Sequence, residues 1–181
     1  MKHRRGILLA AILGLGALNV AAAQTRADAA LEQQVKSAFV LNFLQFVDWP
    51  EGTLGKADEP LIVGVVDGAG PWESLNAALD GKTVKGHKVV VKRLSAGAIG
   101  KCQVLVTGNL DGPDLEAVIK SLGTASVLTI GDSSRFTSAG GVIAFYLEDQ
   151  KVRFEINLAA AQRAQLQISA KLLKLARVVN K

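Results

Sequence analysis

From Asp28 onward apolar residues recur at helical spacing, at Leu31, Val35, Ala38, Phe39 and Phe46, which predicts a helix with a core-facing stripe. Between Ala38 and Val47 only Asn42 and Gln45 are polar and none is charged, so this stretch is buried on more than one side. Asp48-Trp49-Pro50 stops it, because proline cannot continue a helix and disfavours helical backbone at the residue before it. Residues 24–27 read as a frayed terminus and 51–59 as a loop. Residues 61–66 are too apolar for a wet face, as in a strand covered on both sides. A glycine turn at 68–71 leads into a short helix ending at Leu79, with Pro71 suited to its first position. Strands follow at 82–92 and 102–107, a helix at 113–122 and a strand at 126–130, before a Gly- and Ser-rich loop at 131–141.

Residues 142–147 and 151–156 flank Glu148-Asp149-Gln150 and read as a hairpin. Asn157 is placed to cap a last element. There Leu158, Ala161, Ala164, Ile168, Leu172, Leu175 and Val179 recur every three or four residues, predicting one long amphipathic helix. Its basic end, with Lys171, Lys174, Arg177 and Lys181, would complement the helix dipole. The order of elements predicts an α/β fold: a single three-layer α/β/α sandwich with a mixed sheet, an antiparallel hairpin near the C-terminus and a long C-terminal helix.

Charge changes the picture at the start of the chain. The 181 residues carry a net +5, from 21 Lys+Arg against 16 Asp+Glu. Lys2, Arg4 and Arg5 precede an apolar run at 7–20, and Ala21-Ala22-Ala23 offers small residues for cleavage, the pattern of a secretory signal peptide. The run is too short for a bilayer-spanning helix of about 20 residues. The reading is therefore a cleaved leader at 1–23 and a domain at 24–181, exported in soluble form to a periplasm and not membrane-spanning once cleaved. Without the leader, 18 bases face 16 acids. That balance is too even for a phosphate-binding face, so nucleic acid is not an expected partner.

Candidate chemistry is sparse. Cys102 is the only cysteine, so no internal disulfide can form, and its apolar neighbours predict a buried core thiol. Gly68-Ala69-Gly70 after a strand suggests a dinucleotide loop, but Glu73 stands where a third glycine belongs and would repel phosphate. Gly131-Asp132-Ser133-Ser134 offers a serine without a base, since His87 lies in a strand beside Lys85 and Lys88 and nothing steers it there. In the mature chain one His and one Cys are too few for a zinc site. No catalytic residues, cofactor or metal are expected, and binding is favoured over catalysis.

Three stretches together resemble the YfiR family of small periplasmic regulators. They are residues 35–50, ending in the acid-Trp-Pro of Asp48-Trp49-Pro50; residues 127–132 through Phe136 to 140–145; and residues 152–158 followed by 172–176. Gly81-Lys82 and the Cys102 strand fit in order between them. The resemblance implies a regulator without an active site, which binds the periplasmic input domain of an inner-membrane diguanylate cyclase and represses it. Cyclic di-GMP synthesis and biofilm formation would thereby be restrained. It also implies disulfide-linked redox control in some members, which a lone Cys102 cannot support internally.

The expected partner surface is the C-terminal hairpin with the start of the last helix: Ile143, Phe145, Arg153, Glu155 and Asn157, with Trp49 as a further aromatic anchor. Strand alternation sets Phe154 and Ile156 on one face and Arg153, Glu155 and Asn157 on the other. Ile143 and Phe145 would form an apolar patch beside Glu155, and a structural pairing of Glu155 with Arg153 or Lys36 is the competing reading. A second copy of the chain is an alternative partner. The alternative function is a periplasmic small-ligand sensor module with a pocket near Trp49 or the 131–141 loop.

Overall fold

A computed structural model describes residues 6–66 and 71–180, with only the backbone described at 6–23, 96, 97 and 100. The leader expected over 1–23, and the glycines of the 68–71 turn, lie outside the residues whose side chains are described. Helix α1 spans Gly6–Phe46 and passes into β1, Val47–Asp48. It runs through 24–27, the stretch expected to fray. Strand β2 (Leu61–Val66) and helix α2 (Trp72–Leu79) follow as the periodicity predicts, except that Pro71 stands at the N-cap rather than inside the helix.

The strand read at 82–92 is two strands, β3 (Thr83–Val84) and β4 (His87–Leu94), folded on each other. Lys85 and Gly86 both take positive φ, 50° and 85°, the backbone of a two-residue hairpin turn whose twist matches its strands. A 3₁₀ helix (Ala96–Lys101) leads to β5 (Val104–Gly108), α3 (Gly112–Leu122) and β6 (Leu128–Gly131). The hairpin of β7 (Ile143–Glu148) and β8 (Lys151–Asn157) closes on Asp149 and Gln150, also both at positive φ.

Eight strands form one mixed sheet in the order β10-β8-β7-β6-β5-β2-β4-β3, where β10 is Arg177–Val179. The pairs from β4 across β2, β5 and β6 to β7 are parallel, β7 and β8 are antiparallel, and β10 runs parallel to β8. Alternation sends Leu61, Val63 and Val65 of β2 into the main core beneath α1 and α2, and Ile62 and Val66 into a second cluster with Ile99 and Val118 of the opposite layer. The sheet is thus covered on both faces, as the apolar run of β2 requires. In the main core Phe39 and Phe43 of α1 meet Phe145 and Phe154, with ring centroids 4.9–6.2 Å apart.

The expected long C-terminal helix is not present. Residues 158–179 instead form α4 (Leu158–Arg163), β9 (Gln167–Ile168), α5 (Ala170–Leu173) and β10. Helix α4 ends in a Schellman closure: Gln165 takes φ 56°, Leu166 N–H donates to Ala161 C=O, and Gln165 N–H donates to Gln162 C=O. This satisfies the last carbonyls of the helix with a non-glycine residue at the left-handed position. Beyond it, β9 pairs antiparallel with β1, and Ser169 N–H donates to Phe46 C=O. The tail is used to clasp the end of α1, and tertiary pairing overrides the helical period.

Candidate partner-binding surface

The β7–β8 hairpin and the edge strand β10 bring most of the expected contact residues together, but not with their side chains outward. Register pairs Phe145 with Phe154 and Ile143 with Ile156, while Ala144 faces Glu155. Ile143 and Phe145 therefore share the main-core face and are buried there, on the side opposite Glu155 rather than beside it. Asn157 is fully buried as well. Its Oδ1 accepts from Ala160 N–H at 3.2 Å, capping α4 as its position predicts, and its Nδ2 donates to the Thr137 carbonyl at 2.9 Å.

Glu155 is paired, with neither Arg153 nor Lys36. Its Oε1 accepts from Thr137 Oγ1 at 2.5 Å and its Oε2 from Arg177 Nε at 3.1 Å. The Arg177 guanidinium also stacks on the Tyr146 ring, 4.0 Å from its centroid. One carboxylate thus ties β8 both to the edge strand and to the loop before β7. Arg153 is exposed and reaches Glu148 at 3.6 Å, a surface pair of little energetic weight. Lys36 is buried and meets Glu32 at 2.7 Å and Asp132 at 3.1 Å. Burial alone would lower its pKa, but the two carboxylates outweigh that and hold the ammonium above the usual lysine value. Trp49, half-buried, packs on the main core and donates from Nε1 to the Gln103 carbonyl at 3.2 Å.

Exposed at this edge are Leu147, Leu175 and Val178, together with Arg153 and Arg177. The two arginines were visible in the sequence. The edge strand was not, because Arg177 and Val178 read as the end of a helix.

Residues with chemical potential elsewhere are engaged in structural contacts. Ser133 Oγ donates to Asp111 Oδ1 at 2.8 Å. The Ser133 hydroxyl, the Gly112 N–H and Arg135 together hold the Asp111 carboxyl below its ordinary pKa. His87 sits on β4, with β2 and β5 between it and the strand that leads to Ser133, and its Nδ1 lies 2.9 Å from the Glu59 carbonyl. Cys102 is buried, its Sγ donates to Ile99 C=O at 3.1 Å, and desolvation pushes its pKa up to about 11.

Two consequences follow for Cys102. A thiol-specific reagent at pH 8 should leave the folded protein unlabelled and react only after denaturant is added; rapid labelling of the native state would contradict the burial. Because folding favours the protonated thiol, its contribution is fully present below about pH 9 and is lost as pH rises from there towards 11.

Among the described residues no cluster of three or more His, Cys, Asp or Glu could hold a metal, and no helix is long and apolar enough to cross a membrane. The architecture defines the class: a mixed-sheet α/β domain with helices on both faces. Residues 33–177 match the YfiR/HmsC-like family, DUF4154, and the chain belongs to that family. The family is regulatory rather than catalytic. No curated protein matches the chain. Among solved structures it is similar to a conserved domain protein of Vibrio cholerae O1 biovar eltor, with 15% identity over 65% of this chain and 54% of that one and a TM-score of 0.43. It is also similar to the ABC domain in complex with L-Trp from Streptococcus pneumoniae, with 12% identity over 65% and 55% and a TM-score of 0.44. The chain spans about half the length of each of these structures.

Proposed function

We propose that this chain is an exported, non-enzymatic regulator that binds the periplasmic input domain of an inner-membrane diguanylate cyclase and holds it inactive, restraining cyclic di-GMP synthesis and biofilm formation. The observation that carries this reading is the family match across residues 33–177. Support comes from the way Ser133, His87 and Cys102 are each held in a local structural contact. Regulation of this kind needs only differential binding. Moving a two-state receptor from mostly on to mostly off takes about 5.5 kcal/mol of preference for one state, which an interface of roughly 1,600 Å² can supply.

The surface assigned to the partner is the outer edge of the hairpin and β10. Arg153, Leu147 and Val178 make the contact, while Ile143, Phe145, Glu155 and Asn157 hold the edge in shape from within. Trp49 acts as a support at the far end of α1. Deleting the gene should raise cellular cyclic di-GMP and biofilm mass, and the tagged protein should capture a cyclase from solubilised inner membrane. Leu147→Asp with Val178→Asp should reproduce the deletion while leaving the melting curve unchanged, since both side chains are exposed. Unaltered nucleotide levels in the deletion strain would refute the regulatory reading. Full function in the double variant would refute only the assigned surface.

A further inference from the structure

A groove of about 230 Å³ lies at the opposite end of the sheet from the hairpin tip. Its floor is apolar, formed by Ile119, Val127, Val142 and Ala160. Its rims carry Lys120 from α3 and Arg163 from α4, and no carboxylate lines it. Neither cation has an ion-pair partner within 4 Å among the described residues.

We propose that this groove binds a small amphipathic monocarboxylate, its headgroup between Lys120 and Arg163 and its apolar body along the floor. The charge on the rims selects an anion, and a guanidinium matches a carboxylate in geometry. Both α3 and α4 present their C-terminal ends to the groove, through Leu122 and Gly123 on one side and Ala164 on the other. Carbonyl ends carry partial negative charge, which opposes any anion and a dianionic phosphate most, so the attraction must come from the Lys120 and Arg163 side chains. At about 230 Å³ the groove falls below the roughly 300–1,000 Å³ of drug-sized ligand sites, so its occupant is a small molecule. The site lies apart from the edge assigned to the cyclase, and its test does not depend on that reading.

Decanoate, decanol and acetate are the probes, titrated into the purified protein and followed by amide chemical shifts. Decanoate should bind saturably, with shifts centred on Ile119, Val127, Val142 and Ala160, while decanol and acetate should each bind about tenfold more weakly or worse. Lys120→Gln with Arg163→Gln should weaken decanoate by a similar factor while the amide spectrum stays that of the folded protein. Ala125→Trp, at an exposed residue lining the groove, should block it sterically. Equal binding of decanol and decanoate, or undiminished binding to the charge-removed variant, would overturn the proposal. So would tighter binding of an acidic, apolar peptide than of decanoate, which would make the groove a peptide dock. No binding of decanoate at all would leave the two cations as counter-charges for the helix ends and also overturn it.

Discussion

Phe136→Ala is expected to destabilise the protein by about 3–5 kcal/mol, the usual cost of emptying a buried phenylalanine site. The ring is fully buried, with Leu115 and Ala144, in a cluster separate from the main core. Gly131 and Gly141 flank it, and a methyl group on either would fall inside the ring's van der Waals surface. The loop between β6 and β7 therefore wraps around one aromatic side chain, and the glycines are there because the ring is. A chain of this size loses roughly 2–4 °C of Tm per kcal/mol, so the fall should be about 10 °C in a thermal melt. Gly141→Ala should be damaging next to Phe136 and nearly harmless in the Phe136→Ala background, a coupling that a double-mutant cycle reads directly. Additive effects would mean that ring and glycine do not share one packing constraint. The same loop supplies Asp132 to Lys36 and Thr137 to Glu155, so loosening the ring should also loosen the β7–β8 edge.

The family resemblance quoted Gly131, Phe136 and Gly140-Gly141 as a motif, yet the sequence alone could not say that the ring sits against two of those glycines. Spacing along a loop carries no periodicity, and only the fold brings residues ten apart around one side chain. Regular elements were far more legible. The apolar run of β2, the short α2 ending at Leu79 and the amphipathic α3 each came from a pattern with one physical interpretation. The C-terminal segment had two. A three-to-four-residue apolar period fits a helix, and it equally fits two short helices and an edge strand that bury Leu166 and Leu172 and leave Leu175 and Val178 out. The sign that separates the two would have been a glycine at the left-handed position after α4, but glutamine stands there. Glu155 was recognisable as anomalous, a carboxylate between Phe154 and Ile156. Its partner was not, because Arg177 reaches it only through a strand that the helical period concealed.

Asn157 is where a correct local reading and an unseen long-range contact meet, and substitutions there separate them. Asn157→Ala removes the α4 cap, worth about 1 kcal/mol. It also leaves the buried Thr137 carbonyl without its amide donor, worth about 1–3 kcal/mol more. A total loss of roughly 2–4 kcal/mol by urea unfolding is expected. Aspartate caps helices as well as asparagine does, so a purely local role predicts that Asn157→Asp is nearly neutral. The geometry predicts otherwise. Asn157 is fully buried, and its Nδ2 donates to the Thr137 carbonyl. In the Asp variant a carboxylate oxygen would face that carbonyl, and two acceptors would be opposed out of water. The Asp variant should therefore be no more stable than the Ala variant at pH 7. Burial against a carbonyl would raise the new carboxyl's folded pKa, so the variant should regain stability as pH falls through that value. Wild-type stability of Asn157→Asp at neutral pH would show that the amide donor is dispensable and that Asn157 serves α4 alone.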